Sequence, residues 1–276
     1  MPENILYNLV YSLICGLTEF ICVDSSSHGA IFEILSGRQQ LDPWLTVWVR
    51  IGVLAALISS CGGKLRRLSR ERRLSMRSRR NNRQSDPLIQ LDMRFLRTAV
   101  IPVLIGVLFY GRASSLNDGA LFLSLFLVLN GIYVFIPRVI SRGNKDGRSV
   151  SRLDGVIVGI GSMLGALPGF SAVGGMLSAA AFRGMDRSYA LDMILLLSIP
   201  VTAGLLLFDV IAAIAVGVSF QLLSLLLYLI YAAVAFGSSC LILMLMRYLS
   251  VKIGYSAFAY YSWGLALFAF IFYLII

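Results

Sequence analysis

Charge is scarce in this chain. Of its 276 residues only 14% are Asp, Glu, Lys or Arg, against about 25% in ordinary soluble domains. That shortage excludes an ordinary soluble globule. Histidine is scarcer still, with His28 the single copy. The four cysteines (Cys15, Cys22, Cys61 and Cys240) sit in apolar surroundings without metal-site spacing. They read as small packing residues, which excludes a zinc site and a disulfide framework. The first apolar segment lacks a basic start and carries Glu19 and His28, so it reads as retained rather than cleaved as a signal peptide.

What is abundant is hydrocarbon. The chain is 58% hydrophobic with mean hydropathy +0.82. Runs such as Ala120 to Ile136 and Gln221 to Met246 approach or exceed the roughly 20 residues needed to cross a bilayer core. The sequence predicts a polytopic helical membrane protein. Its net charge of +10 is distributed against nucleic-acid binding. Ten Lys or Arg residues fall between Lys64 and Arg83, and five more between Arg138 and Arg152. Arg247 and Lys252 make a third, smaller cluster. All three separate apolar runs, as the positive-inside rule requires of cytoplasmic loops, and the first is suited to touching anionic lipid.

With those loops inside, six spans can be threaded, near Trp44–Cys61, Arg97–Tyr110, Ala120–Pro137, Ala190–Phe208, Gln221–Met246 and Tyr255–Ile276. Two segments remain, Ile5–Leu35 and Asp154–Arg183, each apolar at its flanks and polar or Gly/Pro-rich in the middle. Each must begin and end on one side, which predicts two re-entrant helical hairpins whose turns are shielded by protein. The pattern of one hairpin plus three spans then occurs twice in opposite orientation. The expectation is a single all-α membrane domain over 1–276, with inverted-topology repeats at 5–137 and 154–276. A basic cytoplasmic loop at 138–153 would join them. Such paired broken segments point to a midplane site at the repeat interface.

Ionisable groups within a membrane are costly unless something there uses them. In the first hairpin Glu19 is followed by Asp24-Ser25-Ser26-Ser27-His28. If a helix restarts after Asp24, Ser25, Ser26 and Ser27 can cap it, leaving free N–H groups to favour an anion. Glu19 suits a general base or a divalent-cation ligand, and His28 a nucleophile or acid–base group. The bland alternative is a polar cluster that ties down a broken helix. In the second hairpin, Leu167-Pro168-Gly169-Phe170-Ser171 stops one helix and caps the next, and Gly174 and Gly175 allow close backbone approach. Arg50, seven residues into the first full span, either snorkels to the surface or clamps a phosphate. Arg187 and Asp192 read as a structural ion pair in preference to a substrate contact.

These motifs resemble the bacterial undecaprenyl-diphosphate phosphatase family of the bacitracin-resistance type. The resemblance rests on Gly16-Leu17-Thr18-Glu19-Phe20, Ser25-Ser26…His28, Pro168-Gly169-Phe170-Ser171…Gly174 and Arg187-Ser188-Tyr189-Ala190. It implies a multi-pass protein of the bacterial inner membrane that cleaves the terminal phosphate of undecaprenyl diphosphate near the outer face, recycling the lipid carrier for peptidoglycan synthesis. By matching positions it implies catalytic roles for Glu19, Ser25 and His28. Ser26, Ser27, Gly169, Ser171, Gly174 and Arg50 would meet the substrate. A divalent cation, Mg²⁺ or Ca²⁺, is the candidate cofactor, with Glu19 its candidate ligand. The candidate partners are the polyprenyl lipid, surrounding membrane lipids and a second copy of the chain.

The chain also departs from the family pattern. Cys15 replaces a glutamate, Asp24 a serine, Ala172 the arginine expected to grip the diphosphate, and Val173 a serine. Arg50 stands where the family usually has glutamine and is the candidate replacement charge. Two readings therefore stand. One is hydrolysis of a polyprenyl diphosphate. The other is binding or transport of a polyprenyl phosphate, or another amphipathic anion, without chemistry. A purely structural membrane partner would leave Glu19 and His28 unexplained.

Overall fold

The computed structural model describes residues 5–36, 42–80, 91–113, 120–140, 143–217, 224–252 and 254–275. Arg83 and Arg142, counted in the basic clusters, lie outside them. The described residues form ten helices. In order these are α1 (Ile5–Thr18), α2 (Ser25–Leu35), α3 (Pro43–Arg80), α4 (Leu91–Ala113) and α5 (Ala120–Val139). There follow α6 (Arg152–Met163), α7 (Ala172–Phe182), α8 (Arg187–Ala215), α9 (Leu225–Lys252) and α10 (Ala257–Ile275). Six of them, α3, α4, α5, α8, α9 and α10, are long and apolar enough to cross a bilayer. This is a multi-pass membrane protein. Because no hydrophobic drive separates helix from lipid there, large apolar side chains such as Leu108 and Phe122 are left on the outside.

The remaining four helices are short and come in pairs. α1 ends at Thr18 and α2 begins at Ser25, while a single 3-10 turn at Leu164–Ala166 separates α6 from α7. Within each pair the helices pack on each other, and α1 also packs on α9, α6 on α4, and α7 on α5 and α8. The α6–α7 pair is held by direct backbone contact. A Cβ on Gly175 would stand 2.1 Å from the carbonyl oxygen of Gly161, so neither position admits a side chain without separating the helices.

One expected loop is mostly helix. α3 continues to Arg80, so the first basic cluster largely extends a span instead of interrupting the chain. Its exposed Lys and Arg residues are good helix formers, and acids on neighbouring elements meet them. Lys64 pairs with Asp192, and Arg67 bridges Glu71 at 2.9 Å and Asp92 at 2.6 Å. The expected Arg187–Asp192 pair is thereby corrected, because Lys64 from α3 reaches Asp192 across the α3–α8 contact.

At the same end of the bundle, Asp154 is fully buried in the first turn of α6. The Ser151 N–H donates to its carboxylate at 2.8 Å, and the Asp154 N–H donates back to the Ser151 hydroxyl at 3.2 Å, a reciprocal capping box. Arg183 and Lys145 complete the cluster. Burial by itself would raise the Asp154 pKa, but the Ser151 bonds and Arg183 outweigh it and hold the carboxyl below its usual range. A depressed native pKa contributes stability above the unfolded value, which is lost as the pH falls through the native one. Asp154→Asn is accordingly expected to lower unfolding free energy at neutral pH by about 3 kcal/mol. Denaturant titrations should show that deficit shrinking as the medium is acidified below the ordinary aspartate range.

Candidate functional site

The two helix breaks meet. In the first, residues 19–24 leave helical geometry, and Phe20, Ile21, Cys22, Val23 and Asp24 are all buried. In the second, Gly169 adopts φ +84°, a left-handed turn that glycine takes without a Cβ penalty. Ser171 then caps α7, accepting the Gly174 N–H at 3.1 Å, and its hydroxyl donates to the Ile21 carbonyl at 2.9 Å. Gly174 lies against Cys22, where an added Cβ would come within 3.1 Å of the carbonyl oxygen. Asn130 of α5 bridges the two breaks. Its amide donates to the Cys22 carbonyl at 3.0 Å, and its own oxygen accepts the Ser171 N–H at 3.2 Å.

Asp24 makes the other cross-link. Its carboxylate accepts the hydroxyls of Ser26 and Ser27, both at 2.6 Å, and the N–H groups of Ser26, Ser27 and Gly169 at 3.3, 3.0 and 3.2 Å. The expectation of free N–H groups at the start of α2 is thereby corrected. An internal carboxylate already occupies the position that an anion would take, because Asp24 is an ideal N-cap one residue ahead of the helix.

Beside this junction lies a cavity of about 300 Å³. Of the nine expected site residues its wall contains five, Glu19, Ser25, Ser26, Arg50 and Ser171. Ser27, Gly169 and Gly174 are spent on the hydrogen bonds just described. His28 is not in the wall either. Its Nδ1 lies 2.7 Å from the Asp24 carbonyl oxygen and must donate there, leaving Nε2 to accept from the Tyr261 hydroxyl at 2.8 Å. The imidazole stacks on that tyrosine and fastens α2 to α10.

Arg50 neither snorkels nor stands free. It is hydrogen-bonded to Asp209 of α8, and its guanidinium lies 3.5 Å from Glu19. Asp209, the partner that sequence reasoning missed, sits one residue beyond the predicted end of that span. Asn130 was missed too, although a lone amide in an apolar span is a legible signal. Tyr11, Glu33, Tyr110, Ser198 and Thr202 add further polar groups to the cavity wall. Ser25 contributes a hydroxyl that no hydrogen bond engages among the described residues. Ala172 and Val173, the first residues of α7, also face the cavity. A helix start leaves its first N–H groups without intrahelical acceptors and carries partial positive charge.

The expected divalent-cation site does not fit this arrangement. Glu19 already has a guanidinium beside it, Cys15 is a poor ligand for a hard ion, and among the described residues no three His, Cys, Asp or Glu side chains converge on one point.

A bundle of six helices long and apolar enough to span a membrane, with a polar cavity beside two abutting helix breaks, defines a multi-pass membrane protein. The sequence pattern of the family described as bacitracin resistance protein BacA matches residues 8–268, and the chain belongs to that family. It is 29% identical over 208 residues to an undecaprenyl-diphosphatase of Methanobrevibacter smithii, covering 73% of this chain and 74% of the relative. A protein of the same description from Alkaliphilus metalliredigens is 24% identical over 213 residues, 76% of this chain and 78% of that one. One from Treponema denticola is 25% identical over 210 residues, covering 76% and 77%.

Asn130→Leu would leave the Cys22 carbonyl and the Ser171 N–H buried without a partner. Each such group costs about 1–3 kcal/mol, so the variant should lose about 2–4 kcal/mol of stability in denaturant titration. Hydrogen exchange at residues 20–24 and 169–171 should accelerate together, since one amide secures both breaks.

Proposed function

We propose that the chain hydrolyses a polyprenyl diphosphate, undecaprenyl diphosphate or a close analogue, to the polyprenyl monophosphate and inorganic phosphate. The observation that carries this reading is the cavity itself, in which Glu19, the unengaged Ser25 hydroxyl, Arg50 and the start of α7 are brought together. Its relatives' description names that substrate. In this reading the lipid tail lies along the outer apolar surface and the diphosphate enters the cavity.

The reaction needs a nucleophile, a proton acceptor and positive potential at the transferring phosphorus. Water attacks the terminal phosphorus while the bond to the bridging oxygen breaks, and that oxygen leaves with the polyprenyl monophosphate. Glu19 takes the proton of the attacking water. Ser25 donates to a phosphoryl oxygen, and the α7 N-terminus and Arg50 offset the charge that develops there. Asp209 and Glu19 together fix the guanidinium in one orientation. Mg²⁺ or Ca²⁺ would arrive as the counter-ion of the diphosphate and so counts as part of the substrate. Every group named comes from one chain, so the chemistry requires no second copy. His28 serves as a positioning residue, holding α2 on α10.

The same reading includes the topology. The basic ends of the spans face the cytoplasm of the bacterial inner membrane, both helix pairs are re-entrant, and 5–137 and 154–276 are inverted repeats. The cavity involves the first turns of α3 and the last turn of α4, the ends away from the basic clusters, and therefore opens toward the outer face.

Two variants test the assignment. Glu19→Gln should cut phosphate release from farnesyl or undecaprenyl diphosphate by about a hundredfold or more while the purified protein stays folded; undiminished turnover would remove Glu19 from this role. Asp24→Ser should act in the opposite direction, because it frees the Ser26, Ser27 and Gly169 donors while a serine still caps α2. A KM lower by about tenfold, equivalent to about 1.4 kcal/mol, is the expected result in a steady-state phosphate-release assay.

A further inference from the structure

A second cavity, of about 340 Å³, lies at the basic end of the bundle and shares no wall residue with the first. Two arginines line it, Arg138 at the end of α5 and Arg187 at the start of α8, and among the described residues no acidic side chain does. Arg138 donates to the Tyr260 hydroxyl at 2.9 Å and lies over the Phe135 ring. Among the described residues neither arginine has a carboxylate partner. The acids nearest Arg187 in sequence are committed elsewhere, Asp192 to Lys64 and Asp186 to the Tyr189 N–H as the cap of α8. Guanidinium groups left without a carboxylate at a membrane boundary are available to an anionic lipid headgroup.

A second, independent observation points to the same ligand. Tyr255 lines this cavity, is 7% exposed, and its buried hydroxyl has no hydrogen-bond partner. Ser250, whose hydroxyl donates to the Arg247 carbonyl, lies close enough to act on Tyr255 electrostatically without reaching hydrogen-bond geometry. The tyrosine follows Gly254, whose φ of +92° folds the α9–α10 turn against the Arg187 guanidinium. A Cβ there would stand 2.7 Å from Nη1. The turn therefore brings an orphan O–H donor and an unpaired guanidinium to one cavity, with the Ser256 hydroxyl beside them. The remaining wall is apolar, with Leu177 and Ala181 of α7 facing the same space.

We infer that this cavity is a binding site for the phosphate monoester headgroup of a lipid on the basic side of the membrane. A monoester phosphate is rich in acceptor oxygens, which complement the guanidinium N–H groups and the Tyr255 O–H. The apolar wall suits the first carbons of a chain, and the opening at the ends of the spans is where headgroups lie. The site is independent of the hydrolytic reading, because it uses none of the same residues.

The test is photolabelling of the full-length protein in phosphatidylcholine nanodiscs, with a farnesyl monophosphate carrying a diazirine near the phosphate. Labelled peptides are mapped by mass spectrometry. Label is expected within residues 177–185 or 255–260. It should fall at least tenfold in the Arg138→Gln/Arg187→Gln double variant and several-fold in Tyr255→Phe, which retains the packing of the ring. Glu19→Gln should label this site like the unaltered protein, so failure of the hydrolytic reading and failure of this one are distinguishable. Farnesyl monophosphate displacing the label at far lower concentration than inorganic phosphate identifies a lipid headgroup as the ligand. Equal potency identifies free phosphate and overturns the lipid assignment while keeping the anion site. Label that survives both sets of substitutions, or that farnesol displaces as well as its phosphate does, would overturn the site altogether.

Discussion

The junction of the two helix breaks is the constraint from which the rest of the structure follows. A helix interrupted amid apolar side chains exposes N–H and C=O groups that those surroundings cannot satisfy, and each unsatisfied group costs several kcal/mol. Here the breaks satisfy one another. Ile21 and Cys22 offer carbonyls that Ser171 and Asn130 donate to, and Asp24 collects the Gly169 N–H along with those of Ser26 and Ser27. Neither break could be closed this way alone, so the pairs α1–α2 and α6–α7 are interdependent. The cavity exists because the helices that diverge from this junction cannot also fill the space beside it.

Charge is apportioned around that cavity with the same economy. Arg50 would be costly if buried alone, and Asp209 and Glu19 hold it from two sides. A pair of carboxylates on one guanidinium fixes the orientation in which Arg50 meets the cavity. Asp24 in turn closes the start of α2, which would otherwise compete for any anion. The remaining positive helix end at the cavity is that of α7, whose first residues Ala172 and Val173 lie in its wall. A departure from the family pattern that removes a charged clamp thus coincides with a geometry in which backbone dipoles remain available.

Much of this was legible in the residues. Apolar runs bounded by basic clusters located all six spans, although α3 runs nineteen residues past the expected Cys61 and α8 seven past Phe208, and the Pro-Gly turn with its capping serine located the second break. What periodicity could not reveal was pairing between distant elements. Asp209 looked like a loop residue because it falls just past Phe208, yet α8 runs on to Ala215 and carries it beside Arg50. Asn130 stands out as a lone amide in an apolar helix, but its partners at Cys22 and Ser171 lie far away in sequence. His28 carries a contact that the residue pattern does not show, since Tyr261, 233 positions away, bonds its Nε2 and fastens α2 to α10. Asp192 was matched to the nearest arginine in sequence, although α3 presents Lys64 across the helix interface. Each miss is a long-range contact that a one-dimensional pattern does not encode.

The two cavities differ in a way that bears on the direction of any reaction between them. The first has Glu19, Asp24 and Glu33 in its wall against a single, already compensated arginine. A diphosphate there meets like charge on several sides, so its ground state is held less tightly than its charge alone would suggest, and an inorganic phosphate product is repelled. Interactions that act only as charge moves onto the bridging oxygen, such as those of a helix start, then count toward rate instead of toward binding. The second cavity has the opposite balance, with two guanidinium groups and no acid. That composition retains a phosphate but supplies no base to activate water. Among the described residues the first cavity thus offers carboxylates that can accept a proton and the second offers guanidinium donors to an anion, which fits the two roles proposed for them.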